Sequence, residues 1–173
     1  MDDQISQINA LDRPRFVARF GPLFEGSPWV AERAWRSRPF ANREELHAKL
    51  CAAVRLADRA EQLALIRAHP DLVGRAALAG TLTRESTAEQ RAAGLDPDSL
   101  SPAEIQAFAE LNGRYQARFG FPFVICARVH KKASILAGLR ARLDNDAETE
   151  IATALSEIDR IAWYRLMALG FEP

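Results

Sequence analysis

Cysteine is nearly absent: Cys51 and Cys126 are the only two in 173 residues. Two thiols make no disulfide framework, and they read as reduced, core-like residues of a cytosolic chain. β-Branched residues are also scarce, with Val, Ile and Thr totalling 20 against 31 Ala. That balance argues against a sandwich or barrel and for helices. Neither sign of charge is in excess, since 23 Lys plus Arg meet 23 Asp plus Glu. The chain therefore lacks the basic surplus of a general nucleic-acid binder. It lacks a membrane span as well, because the longest near-apolar run, 119–129, is interrupted by Arg128 and is too short. The opening MDDQISQINALDR is acidic and polar, unlike a signal peptide, and the closing GFEP is no peroxisomal signal. These readings lead us to expect a cytoplasmic protein. Lysine numbers three against 20 arginines, which reads as a composition bias rather than a site.

Motif-borne chemistry is missing too. There is no H-E-x-x-H, no Cys or His pair at ligand spacing, no G-x-G-x-x-G and no P-loop. No nucleophile motif surrounds Ser, Cys or His. A metal site is therefore not expected, and a nucleotide cofactor has no visible cradle.

With 48% apolar and 27% charged residues the chain can bury a sizeable core, and its length suits one domain over residues 1–173. Helix signals recur. Ser27-Pro28 opens a helix expected to reach about residue 37. Asn42 caps the next, 43–57, with Leu46, Leu50, Ala53, Val54 and Ala57 on one face. A third, 58–68, stops at His69-Pro70, because the residue before proline is pushed out of helical geometry. Only short helices fit 71–100. Ser101-Pro-Ala-Glu104 is a capping box opening a helix to about residue 118, closed by Gly120. Its stripe of Ile105, Phe108, Asn112, Tyr115 and Phe119 carries an amide that must find partners. Residues 121–127 read as a buried extended segment, followed by helices over 133–143 and 147–169. The expected fold is all-α, a compact multi-helix domain with one short buried extended segment.

Three polar features resist a purely structural explanation. Arg165 falls inside the apolar arc of Ile151, Leu155, Ile158, Ala162, Leu166 and Leu169, whereas Arg160 falls opposite. A guanidinium there is paired, reaches an anion, or snorkels outward near the helix end. His69 is pinned by Pro70, and imidazole is the side-chain type suited to acid or base work near neutral pH; the place also suits a helix-end histidine meeting free carbonyls. Ser86-Thr-Ala-Glu89 fits a capping box in which Ser86 caps and Glu89 reaches back, and the same turn can offer polar groups to a ligand. His47 and His130 read as surface or boundary residues with nothing convergent around them.

Taken in order, His69-Pro-Asp-Leu72, Gly80-Thr-Leu-Thr83, Ser86-x-x-Glu89-Gln90, Ala93-Gly-Leu95, Leu111-Asn112, Tyr115, Phe119-Gly-Phe-Pro-Phe123-Val-Ile-Cys-Ala127 and Arg165-Leu166 form a wider pattern. With Arg38-Pro39-Phe40, it resembles the 2-oxo-4-hydroxy-4-carboxy-5-ureidoimidazoline (OHCU) decarboxylases over about residues 10–170. The resemblance implies a cofactor-free, all-α, homodimeric enzyme that converts OHCU to (S)-allantoin and CO2 in urate breakdown. It implies His69 as acid/base, with Glu89 and Arg165 also catalytic. It implies substrate contacts from Pro70, Ser86, Thr87, Ala88, Glu89, Gln90, Arg165 and the backbone of Phe123, Val124, Ile125, Cys126 and Ala127. Two rivals stand beside it: a related ureido-compound decarboxylase or hydrolase, and a non-catalytic helical interaction module.

Overall fold

The computed structural model describes residues 3–170. The two end segments on which the targeting readings rest lie partly outside that range. Ten α-helices and three single 3₁₀ turns account for the regular structure, with no strand among the described residues. No helix there is long and apolar enough to cross a membrane. The chain divides into two compact units, residues 1–68 with 159–173, and residues 69–158.

The first unit begins with α1 (Asp3–Asn9) and α2 (Arg13–Phe20). The spacing argument places no helix before residue 28, because segments this short show no full apolar period. Their local signals are nonetheless present. Asp12 accepts from the Arg15 N–H, Pro14 follows in the first turn, and Phe16 and Phe20 are buried one turn apart. Phe16 packs on Phe20 and on Phe40, with ring centroids 4.6 and 5.9 Å apart. Helix α3 (Trp29–Trp35) lies against α2 and α4 (Arg43–Arg55). Pro28 stands one position before α3, with Ser27 buried behind it. Asn42 caps α4 through the Glu45 N–H as expected. Leu46, Leu50, Ala53 and Val54 are buried on its inner face. Arg33 grips Glu61 of α5 (Arg59–Ala68) with two parallel hydrogen bonds while lying 4.5 Å over the Trp29 ring.

Arg38 and Asn9 close this unit's loops. The Arg38 guanidinium donates to the carbonyls of Asn9, Leu11 and Trp35 at 2.8–3.0 Å. Asn9 accepts from the Phe40 N–H and donates to the Phe40 carbonyl, both at 2.8 Å. Arg38 and Phe40 of the family-like Arg38-Pro39-Phe40 run thus serve the scaffold.

The second unit holds α6 (Arg75–Leu78), α7 (Arg84–Ala92), α8 (Pro102–Phe119) and α9 (Lys132–Arg142). It also holds the first half of α10 (Ala147–Ala168). The Ser101/Glu104 capping box forms, and Gly120 ends α8 at φ 74°, a left-handed value that glycine adopts without penalty. Phe108, Leu111, Asn112 and Tyr115 are buried along α8, while Ile105 and Phe119 are half-buried. Residues 121–126 run without helix, largely buried, before a 3₁₀ turn at Ala127–Val129. Tyr115 meets Phe121 and Phe123 edge-on, at 6.0 and 5.4 Å.

Candidate active site

The second unit opens with His69. Helix α5 ends at Ala68, in keeping with Pro70, and the imidazole is buried at 8% exposure. The turn that follows is strained. Val73 has φ 54°, a left-handed conformation that costs a β-branched residue about 1–3 kcal/mol. Amides from two helices hold it there. Gln90 Oε1 on α7 accepts from the buried Val73 N–H at 3.1 Å, and Gln90 Nε2 reaches the Asp71 carbonyl at 3.5 Å. Asn112 Nδ2 on α8 donates to the Leu72 carbonyl at 2.9 Å, and Gln116 Nε2 donates to both Asp71 carboxylate oxygens at 2.9 and 2.8 Å. Asn112 Oδ1 is buried and makes no hydrogen bond among the described residues. Gly74 completes the turn, because a Cβ there would lie 2.6 Å from Asp71 Cβ.

Helix α7 corrects one expectation. Its N-cap is Thr83, whose hydroxyl accepts from the Ser86 N–H at 3.2 Å. Ser86 therefore lies inside the first turn and does not cap. Both T-x-x-S and S-x-x-E fit the local sequence, and the earlier threonine takes the role because the helix starts at Arg84. Ser86 and Gln90, four residues apart, are buried on one face. Glu89 and Thr87 are half-buried on its two flanks, and Ala88 is exposed on the opposite side.

The extended segment is fixed on two sides. The Cys126 N–H donates to Glu157 Oε2 at 2.8 Å, and Arg142 Nη1 donates to the Val124 carbonyl at 2.8 Å. These two backbone groups, expected to be open to a ligand, are thus already engaged by side chains. Arg142 also stacks 4.4 Å over the Phe123 ring and bonds through Nε to Glu150 Oε1 at 2.6 Å. Glu150 is wholly buried; it also accepts from Asn145 Nδ2 at 2.7 Å and from the Tyr115 hydroxyl. Burial, then the bond to Glu150, pushes the Tyr115 phenol well above its ordinary value. Burial pushes the Cys126 thiol up to about 11, reinforced by the negative charges of Glu157 and Glu89. Glu89 on α7 is therefore within electrostatic range of Cys126, and α7 packs on the 127–129 turn. Within this unit the fold connects α7, the 70–74 turn and the end of the extended segment.

Arg165 belongs to the first unit. It does not snorkel: at 6% exposure it bonds Glu25 Oε2 at 3.0 Å and the Pro22 carbonyl at 3.4 Å. Arg160 is exposed, as its place on the wheel predicts.

His47 departs from the expectation of an isolated boundary residue. Its ring is edge-on to Trp163 at 5.2 Å, and its Nε2 lies 2.8 Å from the Asp159 carbonyl and 3.3 Å from Cys51 Sγ. A carbonyl only accepts, so Nε2 carries the proton and cannot take one from the thiol. Burial, then the charge of Asp159, pushes the Cys51 thiol up. This is packing, not an activated nucleophile. His130 is half-buried, as expected.

A cavity of about 280 Å³ in the second unit is lined by Leu78, Leu82, Thr87, Gln90, Leu95 and Asp98, among others. Of the expected site residues it takes in only Thr87 and Gln90, so it lies on the flank of α7 away from Glu89. The sequence reading missed Val73, Gln116, Arg142, Glu150 and Glu157. Only Asn112, an amide on an apolar stripe, gave an advance signal.

A family model described as OHCU decarboxylase matches residues 9–167. The 2-oxo-4-hydroxy-4-carboxy-5-ureidoimidazoline decarboxylase of Haloferax volcanii is 45% identical over 162 residues, covering 94% of this chain and 93% of that one. The protein of the same name from Mus musculus is 39% identical over 163 residues, covering 94% and 90%. Among solved structures, an (S)-allantoin synthase superposes with a TM-score of 0.75 at 27% identity over 95% of this chain. The present chain spans about half of that protein, 53% of its length.

Proposed function

The chain belongs to the OHCU decarboxylase family, and from that membership we infer that it removes CO2 from OHCU, a carboxy-lyase step in urate degradation. The observation that carries this reading is the 45% identity running through nearly the whole of both chains. The product is (S)-allantoin. We read residues 1–173 as a single OHCU decarboxylase domain, a reading supported by a family match that spans residues 9–167. The protein works as a cytoplasmic homodimer on a small-molecule substrate, without nucleic acid or membrane as partner.

The chemistry suits the proposed residues. Breaking the bond to the carboxylate leaves an electron pair on a ring carbon, and the substrate's own unsaturated neighbours accept it. No cofactor is needed as an electron sink. The protein must orient the substrate and deliver one proton to one face. His69, buried beside Pro70, is the proton donor to the developing carbanion and regains its proton from water. Glu89 hydrogen-bonds the ureido and ring nitrogens, with Ser86, Thr87, Ala88 and Gln90 contributing side-chain or backbone contacts. Segment 123–127 contributes backbone groups other than the Cys126 N–H and the Val124 carbonyl. Arg165 binds a substrate carboxylate or oxyanion.

The test generates OHCU in place from urate with urate oxidase and hydroxyisourate hydrolase and follows the optical rotation of the allantoin formed. Rapid formation of a single enantiomer supports the reading. A racemic product formed no faster than without the folded protein overturns it. His69→Ala is expected to abolish the acceleration with helical circular dichroism intact, and full activity there removes His69 from its role.

A further inference from the structure

We propose that Asn112, with Gln90 and Gln116, acts as a positioning clamp that sets the orientation of His69 by holding the 70–74 turn in its left-handed conformation. The proposal rests on the reading of His69 as acid/base. Val73 is the one described non-glycine residue with positive φ, and it is β-branched, the least suited type. Such a conformation persists only where the surroundings over-determine it. Three consecutive residues after Pro70 are held: Asp71 by Gln116 and Gln90, Leu72 by Asn112, and Val73 by Gln90.

All three clamp residues emerge from helices, α7 and α8, so the turn is fixed against rigid elements rather than against another loop. Pro70 transmits the constraint, because its ring fixes φ and leaves little slack between Asp71 and the imidazole. Asn112 is the central member. It is 94% buried, and its remaining amide oxygen makes no hydrogen bond among the described residues. A buried amide is kept on an apolar stripe at a cost, and here its hydrogen bond goes to the Leu72 carbonyl, in the turn that directly follows His69.

Asn112→Ala tests this by kinetics and by NMR. The chain has only three histidines, so the His69 imidazole signal is assignable by comparison with His69→Ala. In folded Asn112→Ala we expect kcat to fall about 100-fold with KM changed less than about threefold, the scale of a catalytic group displaced by about an ångström. The His69 signal should shift or broaden while those of His47 and His130 stay in place. Val73→Gly, which adopts φ 54° without penalty, should restore part of kcat when combined with Asn112→Ala. A folded variant with an unmoved His69 signal overturns the proposal, whatever its rate. If Asn112→Ala does not fold, Gln116→Met removes the exposed arm of the clamp, and an unmoved His69 signal there overturns the proposal equally. Full activity of His69→Ala is a separate failure, of the acid/base reading; it overturns the catalytic part of this proposal as well, and the NMR signal then judges the clamp alone.

Discussion

Removing the Glu150 carboxylate should be the most destabilising single change in the second unit. Glu150 is fully buried and accepts from Arg142, Asn145 and the Tyr115 hydroxyl. The Arg142 side chain is 13% exposed. Glu150→Ala strands its guanidinium in a site that water reaches poorly, and breaking a buried pair in this way costs about 3–5 kcal/mol. At about 2–4 °C per kcal/mol for a chain of this size, Tm should fall by roughly 6–20 °C. Urea denaturation gives the free energy directly. Far-UV circular dichroism reports on the whole chain, whereas tryptophan fluorescence reports on the first unit, since Trp29, Trp35 and Trp163 all belong to it. Coincident transitions license a single free energy. Arg142→Ala should cost a similar amount, and the double variant should be more stable than the sum by about 1–3 kcal/mol. Each single variant losing less than about 1 kcal/mol, or strict additivity between them, would refute the claim that this pair is buried and mutually dependent. KM should also rise in Arg142→Ala, because the Val124 carbonyl and the Phe123 ring lose their anchor.

Other consequences follow from the same geometry. Arg165→Ala should lose activity well beyond what its Tm predicts, whereas Glu25→Gln, which keeps the guanidinium, should retain more of kcat/KM; equal losses of rate in both would assign Arg165 to the scaffold. With its thiol pushed up to about 11, Cys126 should show about a hundredfold less thiolate at pH 8 than an ordinary cysteine. Native protein should therefore react slowly with a chromogenic disulfide, and both cysteines should react at once in denaturant. The Lys132 ammonium, then Ser101, holds the Glu104 carboxyl down at about 2 against an ordinary 4.5. Its contribution is therefore present above about pH 4.5 and lost as pH falls through about 2. The stability difference between wild type and Glu104→Gln should be flat near neutrality and shrink across that window, as urea midpoints at stepped pH would show.

The parts of the fold that the sequence made legible are those specified locally. The capping box at Ser101, the left-handed Gly120, the stop at His69-Pro70 and the Asn42 cap each carry their geometry within four residues, and each forms. The wheel placed Arg165 on the apolar arc but left outward snorkelling open; its burial became legible only with Glu25, 140 residues away. What stayed hidden depends on partners far along the chain. Glu150 reads as an ordinary acid in a helix's first turn; its burial is set by Arg142 and by Tyr115, 35 residues away. Val73 reads as a residue that should avoid positive φ, and the bonds that hold its turn come from α7 and α8, 17 to 45 residues away. Thr83 and Ser86 offer the same capping chemistry three residues apart, so sequence alone could not rank them. Of the candidate site, the residue types were readable; the supports that aim them were not.

The scarcity of lysine now acquires a structural meaning. Arg33 closes two parallel bonds on Glu61, Arg38 spans three carbonyls, and Arg142 joins a carboxylate, a carbonyl and a ring face. A planar fork does this and a single ammonium cannot. A recoded chain with lysine in place of exposed Arg75 or Arg114 should behave as the original does, but lysine at 33, 38 or 142 keeps the charge and loses the joint. What looks like a genomic habit in the composition is, at these three positions, part of the joinery, and a designer who equalised the two basic residues for expression would meet it there first.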